Sequence, residues 1–108
     1  MPNSEKERLA AEVRSRWAAF QDGLWDKRRY PLAQFKAFWE AAWDYAELTK
    51  RDPLIHRSVV VAVYGLRDFL GAERKRIPDR VLWDAERLEC LLFSGYDPQF
   101  EADEPPGL

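Results

Sequence analysis

The chain has 108 residues, of which 46% are apolar and 33% charged, and its formal net charge is −2. That length suits one domain, which should bury roughly 60–70% of the surface its unfolded chain exposes, and the composition excludes a disordered polymer. The mild acidity, with a sequence pI of about 5.5, argues against a molecule that as a whole attracts nucleic acid or an anionic membrane, so any basic site must be local.

Cys90 is the single cysteine, which excludes an internal disulfide and a thiolate zinc cluster and fits a reducing compartment. The opening "MPNSEKERLAAEV" has neither the basic nor the apolar region of a signal peptide, and no run approaches about 18 consecutive apolar residues. A cytoplasmic protein that does not enter the membrane is the expectation.

Four segments carry a helical period. The first opens at Ser4, whose hydroxyl and the Glu7 carboxylate three residues on form an S-x-x-E capping pattern. Leu9, Val13, Trp17, Phe20 and Leu24 follow on one stripe, with Gly23 as terminator. The second starts with Pro31, whose missing N–H costs nothing in a first turn, and extends to about Thr49. Its Leu32, Phe35, Phe38, Trp39, Ala42, Trp43, Tyr45 and Ala46 cover an arc of roughly 160°, wide enough for two neighbours. Lys36, Glu40, Asp44 and Glu47 hold the other side.

The third helix is expected to have Asp52 as its cap and Pro53 in its first turn, with Gly71 past its end. Ile55, Val59, Ala62, Val63, Leu66, Phe69 and Leu70 form its main face, and Val60, Val61 and Tyr64 lie opposite. The β-branched run from Val59 to Val63 would also suit a strand, but the apolar set from Ile55 to Leu66 recurs at helical spacing over more residues than a typical strand has. The fourth helix opens near Pro78 and reaches about Phe93, with Gly95 as its stop. Val81, Ala85, Leu88 and Leu92 make its core stripe; Trp83 and Cys90 face away, flanked by Leu82 and Phe93.

The short connections favour antiparallel neighbours. The expected fold is therefore all-α: an antiparallel four-helix bundle over residues 1–93, followed by an irregular acidic and aromatic C-terminal tail over 94–108. That tail, "SGYDPQFEADEPPGL", holds four acids, three prolines and no basic residue. One reading makes it a strap whose Tyr96 and Phe100 cover the second apolar faces around Val60, Val61, Tyr64 and Trp83. The other makes it a linear motif that offers Tyr96, Asp97, Phe100 and Glu101 to a basic groove on another protein.

Two basic clusters precede the second and fourth helices. In "GLWDKRRY", Lys27, Arg28 and Arg29 stand between Trp25 and Tyr30, the mixture of cation and ring that a nucleic-acid or anion site uses. The second, "ERKRIPDR", holds Arg74, Lys75, Arg76 and Arg80. In an up-down bundle both links lie at one end and gather these charges into a basic pole. The bland alternative is a pair of solvated loops in which Trp25 and Tyr30 close the bundle end.

No metal site is expected, because His56 is the lone histidine, and it reads as an exposed or boundary residue. No P-loop, G-x-G-x-x-G, G-x-S-x-G or H-E-x-x-H pattern occurs. Carboxylate pairs such as Asp84 with Glu89, or Glu86 with Glu89, read as solvated helix faces. No cofactor and no catalytic residue is assigned. Of the five tryptophans, Trp17, Trp39 and Trp43 read as core anchors, whereas Trp25 and Trp83 fall outside the core stripes.

Together these features point to a non-enzymatic interaction module, an adaptor, regulatory subunit or inhibitor-like protein, whose contact centres on Tyr64, Trp83 and the tail. A nucleic-acid-binding accessory subunit using the basic pole is the alternative. Homodimerisation through the second apolar faces is compatible with either.

Overall fold

The computed structural model describes residues 4–26, 29–72 and 77–95, and these form four α-helices with no strand among them: α1 (Ser4–Gly23), α2 (Leu32–Leu48), α3 (Arg57–Ala72) and α4 (Asp79–Ser94). None is long and apolar enough to cross a membrane. The tail from Tyr96 onward lies outside the described residues, as do Lys27, Arg28 and positions 73–76.

Most of each stripe read from the sequence disappears from water, and in α4 Leu91 joins it. Leu9, Val13, Phe20 and Leu24 of α1 and its end are buried, as are Phe35, Phe38, Ala42, Tyr45 and Ala46 of α2. From α3 come Val59, Ala62, Val63 and Leu66, and from α4 Val81, Ala85, Leu88, Leu91 and Leu92. Phe69 and Leu70, expected on the same α3 face, have side chains outside the described set. Each large apolar side chain fully covered contributes about 1.5–3 kcal/mol, so the core is what holds the helices together. The β-branched run of α3 is helical, with Val59, Ala62, Val63 and Leu66 meeting this core at helical spacing and Val61 turned away from it.

Pairwise packing is uneven. α1 lies against α2 over the longest contact and also meets α3; α4 meets both α2 and α3. Consecutive in the chain, α2 and α3 are nevertheless not among the well-packed pairs. Gly23 permits the closest approach at the α1–α2 end, since a Cβ there would lie 2.7 Å from Cβ of Pro31. Gly65 lets the Trp17 ring sit against the backbone of α3, with a Cβ there coming 3.3 Å from ring carbon Cζ2.

Three expectations are corrected. First, α3 begins at Arg57 and not at Asp52, and it continues through Gly71, expected past its end, to Ala72. The Asp52 carboxylate accepts the Leu54 N–H at 2.9 Å, as a cap would. But the His56 N–H that a helix from Asp52 would bond to the Asp52 carbonyl is donated to the Tyr45 hydroxyl, and the Leu54 carbonyl accepts from Lys6, so Ile55 reaches the core from the link and not from the helix. Second, Leu32 is exposed although it shares the apolar arc of α2, because it lies in the first turn, at the helix start. Third, the tryptophan anchors sit at the margin of the core and do not fill it. Trp17, Trp39 and Trp43 are only partly buried, and the largest fully buried side chains are Tyr45, Phe20 and Phe38.

The fourth helix ends as its sequence indicates. Gly95 takes the left-handed conformation with φ 66° and donates its N–H to the Leu91 carbonyl at 2.9 Å, the cap for which glycine carries no Cβ penalty. A Cβ on Gly95 would lie 3.1 Å from the Lys50 carbonyl oxygen. The C-terminal ends of α2 and α4 therefore meet.

Candidate functional site

Large apolar side chains left in water are informative when they cluster on helices whose opposite faces already have a core. On α3 these are Val61, 61% exposed, and Tyr64, 55% exposed. On α4 they are Trp83, 63% exposed, and Phe93. The two helices are packed on one another and tied by an ion pair from Arg67 to Glu89 at 3.3 Å. The sequence-derived candidates Tyr64 and Trp83 thus both lie on solvent-facing surfaces of two contacting helices. Tyr96, Asp97, Phe100 and Glu101, assigned to the same surface, lie outside the described residues.

Of the basic set, Trp25 and Arg29 are described. Trp25 is 83% exposed and Arg29 is exposed. Tyr30 instead leans on the core, with its ring edge-on to Phe20 at 6.2 Å, so only one of the two aromatics flanking the basic run closes that end. Lys27, Arg28, Arg74, Lys75 and Arg76 lie outside the described residues. A groove of about 540 Å³ borders this link, lined by Arg29, Tyr30, Pro31, Leu32 and Gln34 among others.

A second groove of about 500 Å³ runs between α2 and α4, with Phe35, Trp39 and Val81 as apolar lining and Lys36, Arg80 and Arg87 as cations. Its charges are largely committed. Both carboxylate oxygens of Asp84 take the Arg80 Nε–H at 3.2 Å, and the Arg87 guanidinium lies 4.5 Å from the centre of the Trp43 ring. Trp43 stacks on Trp39 at 4.9 Å, whose indole N–H donates to the Asp84 carbonyl at 2.7 Å. Cation–π contact and a satisfied indole N–H make this a rigid wall between two helices. Asp84 and Glu89, read from the sequence as solvated carboxylates, each hold a specific arginine.

The polar cluster that sequence reasoning missed joins the start of α1 to the link before α3. Lys6 Nζ donates to the Asp52 carboxylate at 2.7 Å and to the Leu54 carbonyl at 2.6 Å. The Lys6 ammonium is raised by its bond to Asp52, and the Asp52 carboxyl is lowered by the same bond. Beside them the Tyr45 hydroxyl accepts the His56 backbone N–H at 2.7 Å and lies 2.8 Å from His56 Nδ1. His56 Nε2 is 2.9 Å from Glu7 Oε1.

The assignment that satisfies every group has the Tyr45 proton donated to Nδ1 and the Nε2 proton donated to Glu7. Burial raises the Tyr45 phenol above its ordinary value, which keeps it neutral and able to donate. Glu7 therefore serves His56, where the sequence suggested it would return to Ser4. His56 is a half-buried junction residue outside any helix. The Glu7–His56–Tyr45 chain has the parts of a proton relay, but Tyr45 is fully buried and neither groove reaches it. The chain of bonds ties α1 and α2 to the link before α3.

Among the described residues no group of three or more histidine, cysteine, aspartate or glutamate side chains could hold a metal ion. Compared with protein families, with curated proteins and with solved structures, the chain matches none.

Proposed function

We propose that the chain is a small non-enzymatic interaction module, an adaptor, regulatory subunit or inhibitor-like protein, that binds a protein partner through the outward face of α3 and α4. One observation carries the reading: Val61, Tyr64, Trp83 and Phe93 stay exposed on two helices whose other faces are already buried. Tyrosine and tryptophan dominate binding hot spots because they bury large areas at small cost in side-chain entropy. The module is read as an antiparallel four-helix bundle in the cytoplasm. Supporting the antiparallel course, Gly23 lies beside Pro31, Lys6 bonds Asp52, and Gly95 lies beside Lys50. The Tyr64→Ala, Trp83→Ala double variant should keep its circular dichroism and lose partners that the unaltered chain retains in pull-down. A folded variant that keeps them all would refute this surface.

One observation favours a second reading. Leu32 and Pro78 line a common groove, so the links before α2 and α4 open at the same end, where Arg29 and Arg80 are exposed. That supports an anion- or nucleic-acid-binding pole. It predicts oligonucleotide binding that weakens steeply with salt; absence of any shift at low salt would remove it.

A further inference from the structure

The outward face of α3 is arranged as its own complement. Arg57, Val61, Tyr64 and Asp68 are all exposed and follow one another at spacings of four, three and four, the a/d stripe of a helix–helix seam. The stripe lies opposite the buried set Val59, Ala62, Val63 and Leu66. Among the described residues neither Arg57 nor Asp68 takes part in an ion pair. Apolar side chains occupy the middle, with opposite charges at equal distances on either side.

Local helix chemistry does not favour those charges. Arg57 is the first residue of α3 and Asp68 lies toward its C-terminal end, each against the sign that the helix dipole prefers. A sequence that departs from the local rule without local compensation points to a contact elsewhere.

We propose that the partner of this face is a second copy of the chain, docked with α3 antiparallel to its mate about a two-fold axis between Val61 and Tyr64. The symmetry sets Arg57 of each copy against Asp68 of the other, and Val61 against Tyr64. A parallel pairing would oppose Arg57 to Arg57 and Asp68 to Asp68, so charge selects the antiparallel one. The contact is isologous and closes at two copies. The seam from Arg57 to Asp68 is about 16 Å long at 1.5 Å per residue, shorter than a large obligate interface requires, so the dimer is in concentration-dependent exchange with the monomer.

This inference rests on the reading of α3 as a contact surface and names one occupant for it. The test is sedimentation equilibrium of the full chain up to millimolar concentration, at low salt, with three variants. The unaltered chain should approach twice its 12.7 kDa mass. Arg57→Asp alone and Asp68→Arg alone should each weaken association at least about tenfold, since two symmetry-related attractions become repulsions. The double reversal Arg57→Asp, Asp68→Arg should restore it. Both reversals agree with the helix dipole, so the variants should stay folded, as circular dichroism will check.

A mass that stays at 12.7 kDa throughout overturns the proposal, as does a dimer that both single reversals leave untouched. Neither result removes the interaction-module reading, which stands or falls on whether the Tyr64→Ala, Trp83→Ala variant loses a different protein.

Discussion

Replacing Tyr45 by Phe removes one oxygen and leaves the ring in place. That oxygen accepts the His56 N–H at 2.7 Å and lies 2.8 Å from Nδ1, so both His56 groups lose their partner while the packing around a fully buried ring is kept. A covered donor left unsatisfied costs about 1–3 kcal/mol. His56 is half-buried and water can reach part of it, which sets the expectation at about 1–2 kcal/mol. A domain of this size shifts its midpoint by about 4–8 °C per kcal/mol, so thermal unfolding followed at 222 nm should fall by roughly 4–16 °C. His56→Ala in the same cycle should be strongly non-additive with Tyr45→Phe, because each change removes the same bond. A midpoint within about 2 °C of the unaltered chain, or strict additivity, would show that the Tyr45–His56 contact does not hold the link before α3.

Gly95→Ala should destabilise by about 1–2 kcal/mol, since the residue must hold φ 66° and its new Cβ would press on the Lys50 carbonyl; an unchanged denaturant midpoint would contradict the cap. The Lys6–Asp52 bond lowers the Asp52 carboxyl below its ordinary 3.8. Its contribution is therefore present above that value and lost as pH falls through the lower folded value. The difference in stability between the unaltered chain and Asp52→Asn should accordingly shrink in acid, and a difference that stays constant down to pH about 2 would refute the linkage.

Much of the fold is legible in one dimension. The positions that meet the core recur every three to four residues, and glycine and proline punctuate the chain for reasons local to the backbone. So the four helices, their buried stripes and the left-handed Gly95 follow from residue type and spacing. That Tyr64 and Trp83 lie off the core stripes was legible in the same way, because their spacing sets them opposite the residues that fill the core. Local signals failed where a distant group offered a better bond. Asp52 followed by Pro53 has every mark of a helix start, yet the Tyr45 hydroxyl takes the His56 N–H, Lys6 takes the Leu54 carbonyl, and α3 begins at Arg57. Glu7 was similarly drawn to His56, 49 residues away in the chain. Which helices pack on which, that Trp39 and Trp43 stack beneath Arg87 at the margin of the core, and that Tyr45 joins α2 to the next link were decided only by tertiary structure. Periodicity tells a side chain which way to face; only the folded chain supplies what it meets there.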